Sequence, residues 1–500
     1  MKKDQIDRLP LSEKIGYGFA DASANFVFQI MVMFQVGFYT DVFGITAAAA
    51  GTLLLVGRFW DAIFDPIMGT IADRTNTRWG KFRPWLLWTA IPFSLLFFLT
   101  FTTPNFSPGG KLIYAYVTYI LLMTVYSMNN TPYSALNGVM TGDVNERTSL
   151  SSWRFIFAQS ATILVQGFLL LMVASLGRGS AQQGWSKSIG ILSLLSIIFF
   201  IITFLSVKER IKPAPGQKAS FKEDLTGLLH NGPWLSMFLL TLFVFITLAL
   251  WGSAMYYYFS YFISKESLFN FLQSLGMAAS PAADGTVVMN GWQKFLNAIG
   301  LLAKPDMSNA RIIGFSLFNM VGTIISLIGI IFSMRLTIRF SKKSVFLVGL
   351  TLTAVFTSLF YLLPSDAVGW TFVLNILKAL AYSFTIPLLW AMMGDVADYS
   401  EWKTSRRSTG FIFAGIVFAL KAGLGFGGAI CGWLLSLYGY QANVAQSEQA
   451  LAGIRMTASI YPAITFLLGV AALAYYGISK KLSLQIQDEL AERRRSYRIE

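Results

Sequence analysis

The chain has 500 residues, of which 55% are hydrophobic and only 13% are charged, and its formal net charge is +14. A soluble domain carries about a quarter charged residues, so the composition excludes a soluble globular protein and indicates a polytopic membrane protein. The basic residues cluster between apolar runs, which is typical of membrane topology rather than of nucleic-acid binding. One cysteine, Cys431, and one histidine, His230, exclude a disulfide framework and a His/Cys metal site.

Apolar runs that are long enough to cross a bilayer as helices follow one another along the chain. A helix needs about 20 residues for each crossing, and we count about twelve such runs. The sequence therefore predicts an all-α membrane protein whose transmembrane helices form two six-helix halves. The predicted spans lie near 15–38, 46–73, 84–103, 112–136, 153–176, 188–207, 234–262, 311–334, 344–363, 369–393, 409–437 and 455–478.

A segment rich in proline, glycine and lysine at 208–233 separates the first six spans from the last six. We therefore predict an N-terminal half at 1–207, a cytoplasmic linker, and a C-terminal half at 234–500. Within the second half, the loop 263–310 contains two apolar patches that we expect to form short amphipathic helices, either as a lid or as a packing decoration. The charged tail 479–500 is expected to form a cytoplasmic helix.

Lysine and arginine are concentrated in alternate connections, and span order puts these connections on the same side as both termini. The opposite connections are nearly free of basic residues. The positive-inside rule therefore predicts cytoplasmic termini, a periplasmic loop at 263–310, and a location in the bacterial inner membrane. The basic connections are 73–85, 208–224, 335–343 and 401–407.

The second span contains the stretch RFWDAIFDPIMG, which carries two carboxylates at membrane depth. Spacings of three and four residues put Arg58, Asp61 and Asp65 on one helix face. Pro66 cannot donate to the carbonyl of Ala62, which leaves a free oxygen nearby. These groups indicate a site for a small cation, or a carboxylate pair that carries a proton. The alternative is a structural ion-pair network with Arg58.

Further polar side chains fall inside other spans, notably in YSMNNTPYSALNG at 126–138. Amide and charged groups among aromatic rings suit a sugar, whose hydroxyls bind polar partners and whose C–H faces pack on rings. A charged lipid or a peptide could use the same groups. The candidate substrate-binding residues are Asn25, Tyr126, Asn130, Tyr133, Arg154 and Lys421, and Lys378 is also predicted inside a span.

The tenth span ends in GDVADYSEWK, which carries Asp395, Asp398 and Glu401. These acids form either a solvated helix end or half of a cytoplasmic gate that the basic turns RWGKFR and RR close, and Arg58 is a further coupling candidate. The glycines of LKAGLGFGGAICGWLL follow the small-xxx-small spacing of helix packing. The sequence has no nucleophile–base pair, phosphate-binding loop or metal-hydrolase spacing, so we do not expect an enzyme.

These stretches together resemble a known family. RFWDAIFDPIMGTIADRTNTRWGKFRPW, YSMNNTPYSAL, GDVADYSEWK and LKAGLGFGGAICGWLL are similar to the glycoside–pentoside–hexuronide:cation symporters of the major facilitator superfamily, the branch typified by melibiose permease. The resemblance covers the chain except 263–310. It implies the major facilitator fold and a coupling-cation site at Asp61 and Asp65, completed by Ser127.

The sequence departs from melibiose permease at three positions of the implied sites. Phe64 stands where that protein has an asparagine that helps to hold sodium, which favours protons over sodium here. Asn25 and Asn130 replace its two sugar-binding aspartates, so we expect a xyloside, a β-glucoside or a hexuronide rather than a galactoside. Arg154 and Lys421 match basic family positions near the sugar, and Lys421 is expected to pair with Asp61 or Asp65 when the cation is absent.

We therefore expect a secondary active transporter that couples H⁺, or alternatively Na⁺, to symport of a glycoside, pentoside or hexuronide by alternating access. The alternative is a carrier of the same fold for a non-sugar, lipid-like cargo. A receptor has little support, because no soluble signalling domain flanks the spans. We expect the partners to be a small sugar and membrane lipid, and we expect the protein to be a monomer. We expect no nucleic-acid partner and no cofactor besides the coupling ion.

Overall fold

The structure is a computed structural model that describes residues 9–141, 144–210, 231–279, 288–404 and 409–496. Within these ranges, eleven helices are long and apolar enough to cross a membrane, or twelve if one bent pair counts as a single span. No strand is found in the described ranges, which contain only two isolated bridges. The prediction of an all-α membrane protein with about twelve spans is confirmed. Most of the predicted linker 208–233 lies outside the described residues.

The helices follow the predicted order, and three of the predicted spans are broken. The first span bends by 66° between two helices, and the tenth and twelfth are each interrupted by one or two residues. The N-terminal half contains α1 (Leu11–Met33), α2 (Gln35–Phe43), α3 (Ala47–Arg74), α4 (Arg83–Thr100), α5 (Pro108–Met140), α6 (Val144–Gly177) and α7 (Ala181–Ser206). The C-terminal half contains α8 (Gly232–Phe262), α9 (Lys265–Ser274), α10 (Gly291–Ala298), α11 (Ala310–Arg339), α12 (Lys342–Leu362), α13 (Val368–Ser383), α14 (Ile386–Thr404), α15 (Thr409–Leu437), α16 (Glu448–Ala458), α17 (Ile460–Ala474) and α18 (Lys480–Ser496).

Side-chain caps explain where several helices begin. The hydroxyl of Thr46 accepts from the backbone N–H of Ala49 at the start of α3, and Asn231 caps α8 in the same way. Such caps satisfy backbone donors that the first helical turn leaves free. The two apolar patches predicted as short helices are α9 and α10, and Leu268 of α9 packs on Gly314 of α11.

The two halves meet most closely where α3 packs against α15. A Cβ atom at Gly432 would lie 2.3 Å from the carbonyl oxygen of Ala47, and one at Gly51 would lie 2.7 Å from that of Ala429. Only glycine permits such a backbone approach. Another glycine of the same run, Gly427, lies equally close to α8. The predicted packing role of the glycine run is therefore confirmed.

We call the end of the bundle where α1 begins the termini end and the opposite end the far end. The tail helix α18 lies at the termini end, where Trp402 of α14 donates to Glu489 at 2.6 Å. The α3–α15 contact lies toward the far end.

Replacing Gly432 with alanine is expected to destabilise the protein by about 1–3 kcal/mol, because the added methyl group overpacks the α3–α15 contact. Thermal unfolding of the purified protein in detergent measures the change. Gly138→Ala is the matched control, since nothing lies within 4 Å of a Cβ atom at that position. Equal stability of the two variants would contradict the packing account.

Candidate functional site

Two carboxylates from one half and an ammonium from the other meet in the middle of the bundle. Asp61 and Asp65 lie one turn apart on α3, and Lys421 reaches them from α15. Its Nζ atom is 2.9 Å from Asp61 Oδ1 and 2.5 Å from Asp65 Oδ2. The guanidinium of Arg58 is farther away, 3.7 Å from Asp61 Oδ2. Lys421 is therefore the main counter-charge of both carboxylates.

Hydroxyls from α5 complete the oxygen-rich face of this site. Ser127 donates to Asp61 Oδ1 at 2.6 Å, and Thr131 donates to Asp65 Oδ1 at 3.3 Å. The four-residue spacing of the two hydroxyls matches that of the two carboxylates, so the pairs lie side by side. Thr131 was not predicted, although its spacing from Ser127 put it on the same helix face. Phe64 stacks on Trp60, with 6.0 Å between ring centres, and offers no ligand.

The carboxylate site is electrically balanced but not fully satisfied. Asp61 is fully buried, whereas the Asp65 side chain is 24% exposed. Asp61 Oδ2 accepts no hydrogen bond from any of the described residues, because Arg58 lies beyond hydrogen-bond distance. An orphaned buried carboxylate oxygen is costly in a membrane interior. The residues present therefore fit a small cation or a proton. Either would neutralise part of the negative carboxylate charge that Lys421 balances.

A second polar cluster joins three of the predicted substrate residues through an acid that the sequence reasoning missed. Arg154 Nε donates to Asp21 Oδ1 at 2.7 Å, and Asn25 donates to Asp21 Oδ2 at 3.2 Å. The Arg154 guanidinium also lies 5.2 Å from the ring centre of Tyr133. Tyr133 is held by stacking on Tyr17, with reciprocal hydrogen bonds to backbone carbonyls. The position of Asp21, four residues before Asn25, was the available signal.

The remaining candidates lie apart from this cluster. Tyr126 is buried beside Phe93, with 6.1 Å between ring centres, and Asn130 is half-buried on α5. The neighbouring Asn129 donates to Thr89 at 2.7 Å, which gives it a structural partner. Lys421 belongs to the carboxylate site. The six predicted substrate residues are thus divided between two clusters and two separate positions.

A cavity of about 270 Å³ lies between the two halves. None of the six predicted substrate residues lines it. The N-terminal half contributes amide side chains to its wall, and the C-terminal half contributes Trp251 and Lys378. Its polar and aromatic lining includes Gln29, Gln159, Gln166, Trp251, Asn319, Asn375 and Lys378.

At the termini end, one of the three acids for which a gate role was predicted pairs within its own half. Asp395 of α14 accepts from Lys342 of α12 at 2.8 Å. Asp398 and Glu401 are half-buried on the same helix. The basic pair at 406–407 lies outside the described residues. The Asp395–Lys342 pair holds two helices of the C-terminal half together, and a gate between the halves stays a prediction.

The far end carries a cluster between the halves that the sequence analysis missed, because it assigned Asp41 to a loop. Asp41 lies in the last turn of α2 and accepts from three tyrosines of the C-terminal half. Tyr261 donates at 2.9 Å, Tyr256 donates at 3.4 Å, and Tyr440 makes the shortest contact. Burial, with the nearby charge of Asp41, raises the pKa of Tyr440, so its phenol stays protonated and donates. This cluster ties the two halves together at the far end.

Asp41→Asn is expected to loosen the far end, because an amide accepts fewer hydrogen bonds and lacks the charge that strengthens them. A loss of about 1.5–3 kcal/mol corresponds to at least about a tenfold shift toward an opened far end. Cys431, the only cysteine in the sequence, is fully buried near this end of α15 and reports the change. Its rate of alkylation in the purified protein should rise by at least about tenfold.

The matched control is Asp306→Asn, which changes an exposed far-end acid that bonds only to Ser308 among the described residues. It should leave the alkylation rate of Cys431 unchanged. If Cys431 is alkylated at the same rate in Asp41→Asn and in the control, the cluster does not hold the two halves together at the far end.

Comparison with known proteins identifies the family. Residues 14–305 and 310–480 match the family described as MFS/sugar transport protein. The chain belongs to this family, so it is a membrane transporter and not an enzyme. The resemblance stated from the sequence is confirmed.

Several relatives match almost the whole chain. The inner membrane symporter YicJ of Escherichia coli strain K12 is 34% identical over 489 residues, covering 97% of this chain and 96% of that protein. The isoprimeverose transporter of Lactiplantibacillus pentosus is 32% identical over 475 residues, covering 94% and 90%. A solved bacterial homologue of the human lysosomal transporter Spinster superposes with a TM-score of 0.61 at 14% identity, covering 95% and 97%. The latter likeness concerns the fold, and the predicted major facilitator fold is confirmed.

Proposed function

We propose that this protein is a cation-coupled sugar symporter of the bacterial inner membrane, with both termini in the cytoplasm. Its cargo is a glycoside, pentoside or hexuronide, and H⁺ is the favoured coupling ion. The contact of Lys421 with both Asp61 and Asp65 carries the proposal. A family of sugar transport proteins and relatives named as a symporter and an isoprimeverose transporter support it.

Coupling follows from competition for the two carboxylates. In the empty carrier, the ammonium of Lys421, together with Arg58, balances Asp61 and Asp65, and Lys421 holds α15 of one half against α3 of the other. A cation that binds the carboxylates makes Lys421 dispensable there and frees the two helices to move. Because each charge state favours a different arrangement of the halves, the cation and the sugar influence each other's binding. Alternating access then exchanges a closed far end for a closed termini end.

The ligand set favours a proton over sodium. Phe64 occupies the position between the two aspartates and packs on Trp60, so it supplies no oxygen. Sodium would have to rely on the carboxylates and the hydroxyls of Ser127 and Thr131. A proton needs only one carboxylate, and the half-exposed Asp65 is the more accessible of the two.

The alternative function is a carrier of the same fold that transports a lipid-like cargo. It would be favoured by a pocket lined mainly by apolar side chains around Asn25 and Asn130. Asn25 instead lies against the ion pair between Asp21 and Arg154. This charged surrounding supports a cargo rich in hydroxyls.

Asp65→Asn is expected to abolish accumulation of sugar against a gradient while leaving downhill exchange, because the amide cannot carry the coupling charge. Uptake of a radiolabelled glycoside into proteoliposomes, with and without an imposed proton or sodium gradient, measures both activities. Asp73→Asn is the control, since Asp73 is exposed on the same helix. Uphill accumulation by Asp65→Asn would overturn the proposed coupling.

Lys421→Gln is expected to lose about 3–5 kcal/mol of stability in alkaline, sodium-free buffer, because Asp61 and Asp65 then share only the charge of Arg58. Acid or sodium should restore more stability to this variant than to the wild type, and whichever restores it identifies the coupling ion. Thermal unfolding at two pH values, with and without sodium, measures this response. Lys294→Gln on the exposed face of α10 is the control. An equal loss of stability under all four conditions would contradict the competition between Lys421 and the coupling cation for the carboxylates.

A further inference from the structure

Lys378 of α13 is a buried cation that takes no part in the proposed coupling mechanism. Its side chain lines the cavity between the halves, and the residue is only 8% exposed. It makes no ion pair with any Asp or Glu of the described residues. Its ammonium lies 2.8 Å from the ring centre of Trp251 on α8. A cation at this depth is costly unless something compensates its charge, so it marks a functional position.

Among the described residues at the depth of the cavity, the charged groups of the two sites described above compensate one another. Lys421 and Arg58 balance Asp61 and Asp65, and Arg154 balances Asp21. Lys378 therefore leaves one uncompensated positive charge on the cavity wall. The ring of Trp251 stabilises this charge through a cation–π contact, but it does not neutralise it. A negative charge within the cavity would complete the balance.

In the described part of the chain, two hydrogen-bond donors without a partner belong to residues that line the same cavity as Lys378. The indole Nε1 of Trp251 and the amide Nδ2 of Asn319 are both buried without a partner among the described residues. Lysine and tryptophan side chains can only donate. A carboxylate only accepts, whereas each sugar hydroxyl also brings a donor that must be satisfied. The cluster of donors therefore fits an anionic, acceptor-rich group better than a hydroxyl.

The opposite wall of the cavity has a different character. Gln29 donates to Thr162 at 2.9 Å, and Gln166 donates to Gln29 at 2.8 Å, which forms a chain of neutral amides on the N-terminal half. Neutral amides suit the hydroxyls of a sugar ring. A cavity of about 270 Å³ is near the lower limit of ligand sites, about 300 Å³, and suits a small cargo.

We propose that Lys378, Trp251 and Asn319 form a subsite for the carboxylate of an acidic sugar, with the sugar ring between this subsite and the amides of the N-terminal half. This inference rests on the proposed sugar transport and narrows its cargo to glycosides that carry a negative charge. The anion compensates Lys378 when the cargo binds. The positive charge on the cavity wall is then neutralised by the cargo itself.

The test uses matched pairs of sugars that differ only at one carbon. Methyl β-glucoside and methyl β-glucuronide share a ring and differ in a hydroxymethyl group against a carboxylate, and methyl galactoside and galacturonide form a second pair. Binding to the purified full-length protein is measured at constant pH and ionic strength. The wild type should bind the acid of at least one pair about tenfold or more tightly than its neutral partner.

Lys378→Gln should lower affinity for the acidic sugar by about tenfold to a hundredfold and change affinity for the neutral partner by less than about threefold. Lys378→Arg should retain most of the preference because it keeps the charge. Trp251→Phe keeps the ring and removes Nε1, so it should weaken the acid selectively. Lys294→Gln on the exposed face of α10 is the control and should leave all affinities unchanged.

The outcomes separate this inference from the function on which it rests. Neutral sugars that bind as well as their acids, or a preference that persists in Lys378→Gln, would overturn the subsite and leave sugar transport standing. The wild-type comparison decides this even if Lys378→Gln does not fold. Failure of the wild type to bind or transport any sugar of a broad glycoside panel would overturn the proposed function and this inference with it.

Discussion

A charge buried at membrane depth needs a partner of opposite charge, and this requirement organises the centre of the bundle. Asp61 and Asp65 lie on α3, where neither water nor their own helix neutralises both of them. Lys421 supplies the missing charge from the other half of the chain. The same contact is therefore a stabilising interaction and the point at which the charge state of one site controls how the halves fit together. Any cation that reaches the carboxylates competes with this contact.

The helices that carry the competing charges are also the helices that pack the two halves together. Glycines let α3 and α15 approach so closely that their backbones touch near the far end, and the same two helices hold the carboxylates and the lysine. A second connection between the halves, from Asp41 to the tyrosines of α8 and the loop after α15, closes the far end. At the termini end, Asp395 pairs with Lys342 inside one half. A change in charge at the carboxylates or at Asp41 therefore acts directly on contacts that join the two halves.

Periodicity predicted much of this architecture, because apolar runs and basic connections define spans and sides. The spacing of Asp61 and Asp65 placed both carboxylates on one face, and the structure adds Thr131 beside Ser127 by the same spacing. Contacts between distant residues were harder to predict. The pairing of Lys421 with the carboxylates was expected only from a family resemblance, since hundreds of residues separate them. Asp41 was missed because the π-helical end of the first span extends farther than its apolar run. The contacts of Asp21 with Arg154 and of Lys378 with Trp251 join different helices, so the sequence did not indicate them.

The measurement that tests the central claim most directly is proton movement driven by sugar. Proteoliposomes with a trapped pH indicator, no ion gradients and a clamped membrane potential receive the glycoside or glycuronide that binds most tightly. The account predicts acidification inside the vesicles as sugar enters with the wild type, and none with Asp65→Asn. Entry of sugar into wild-type vesicles with no accompanying movement of protons or sodium would contradict it, because the two carboxylates would then carry no travelling cation.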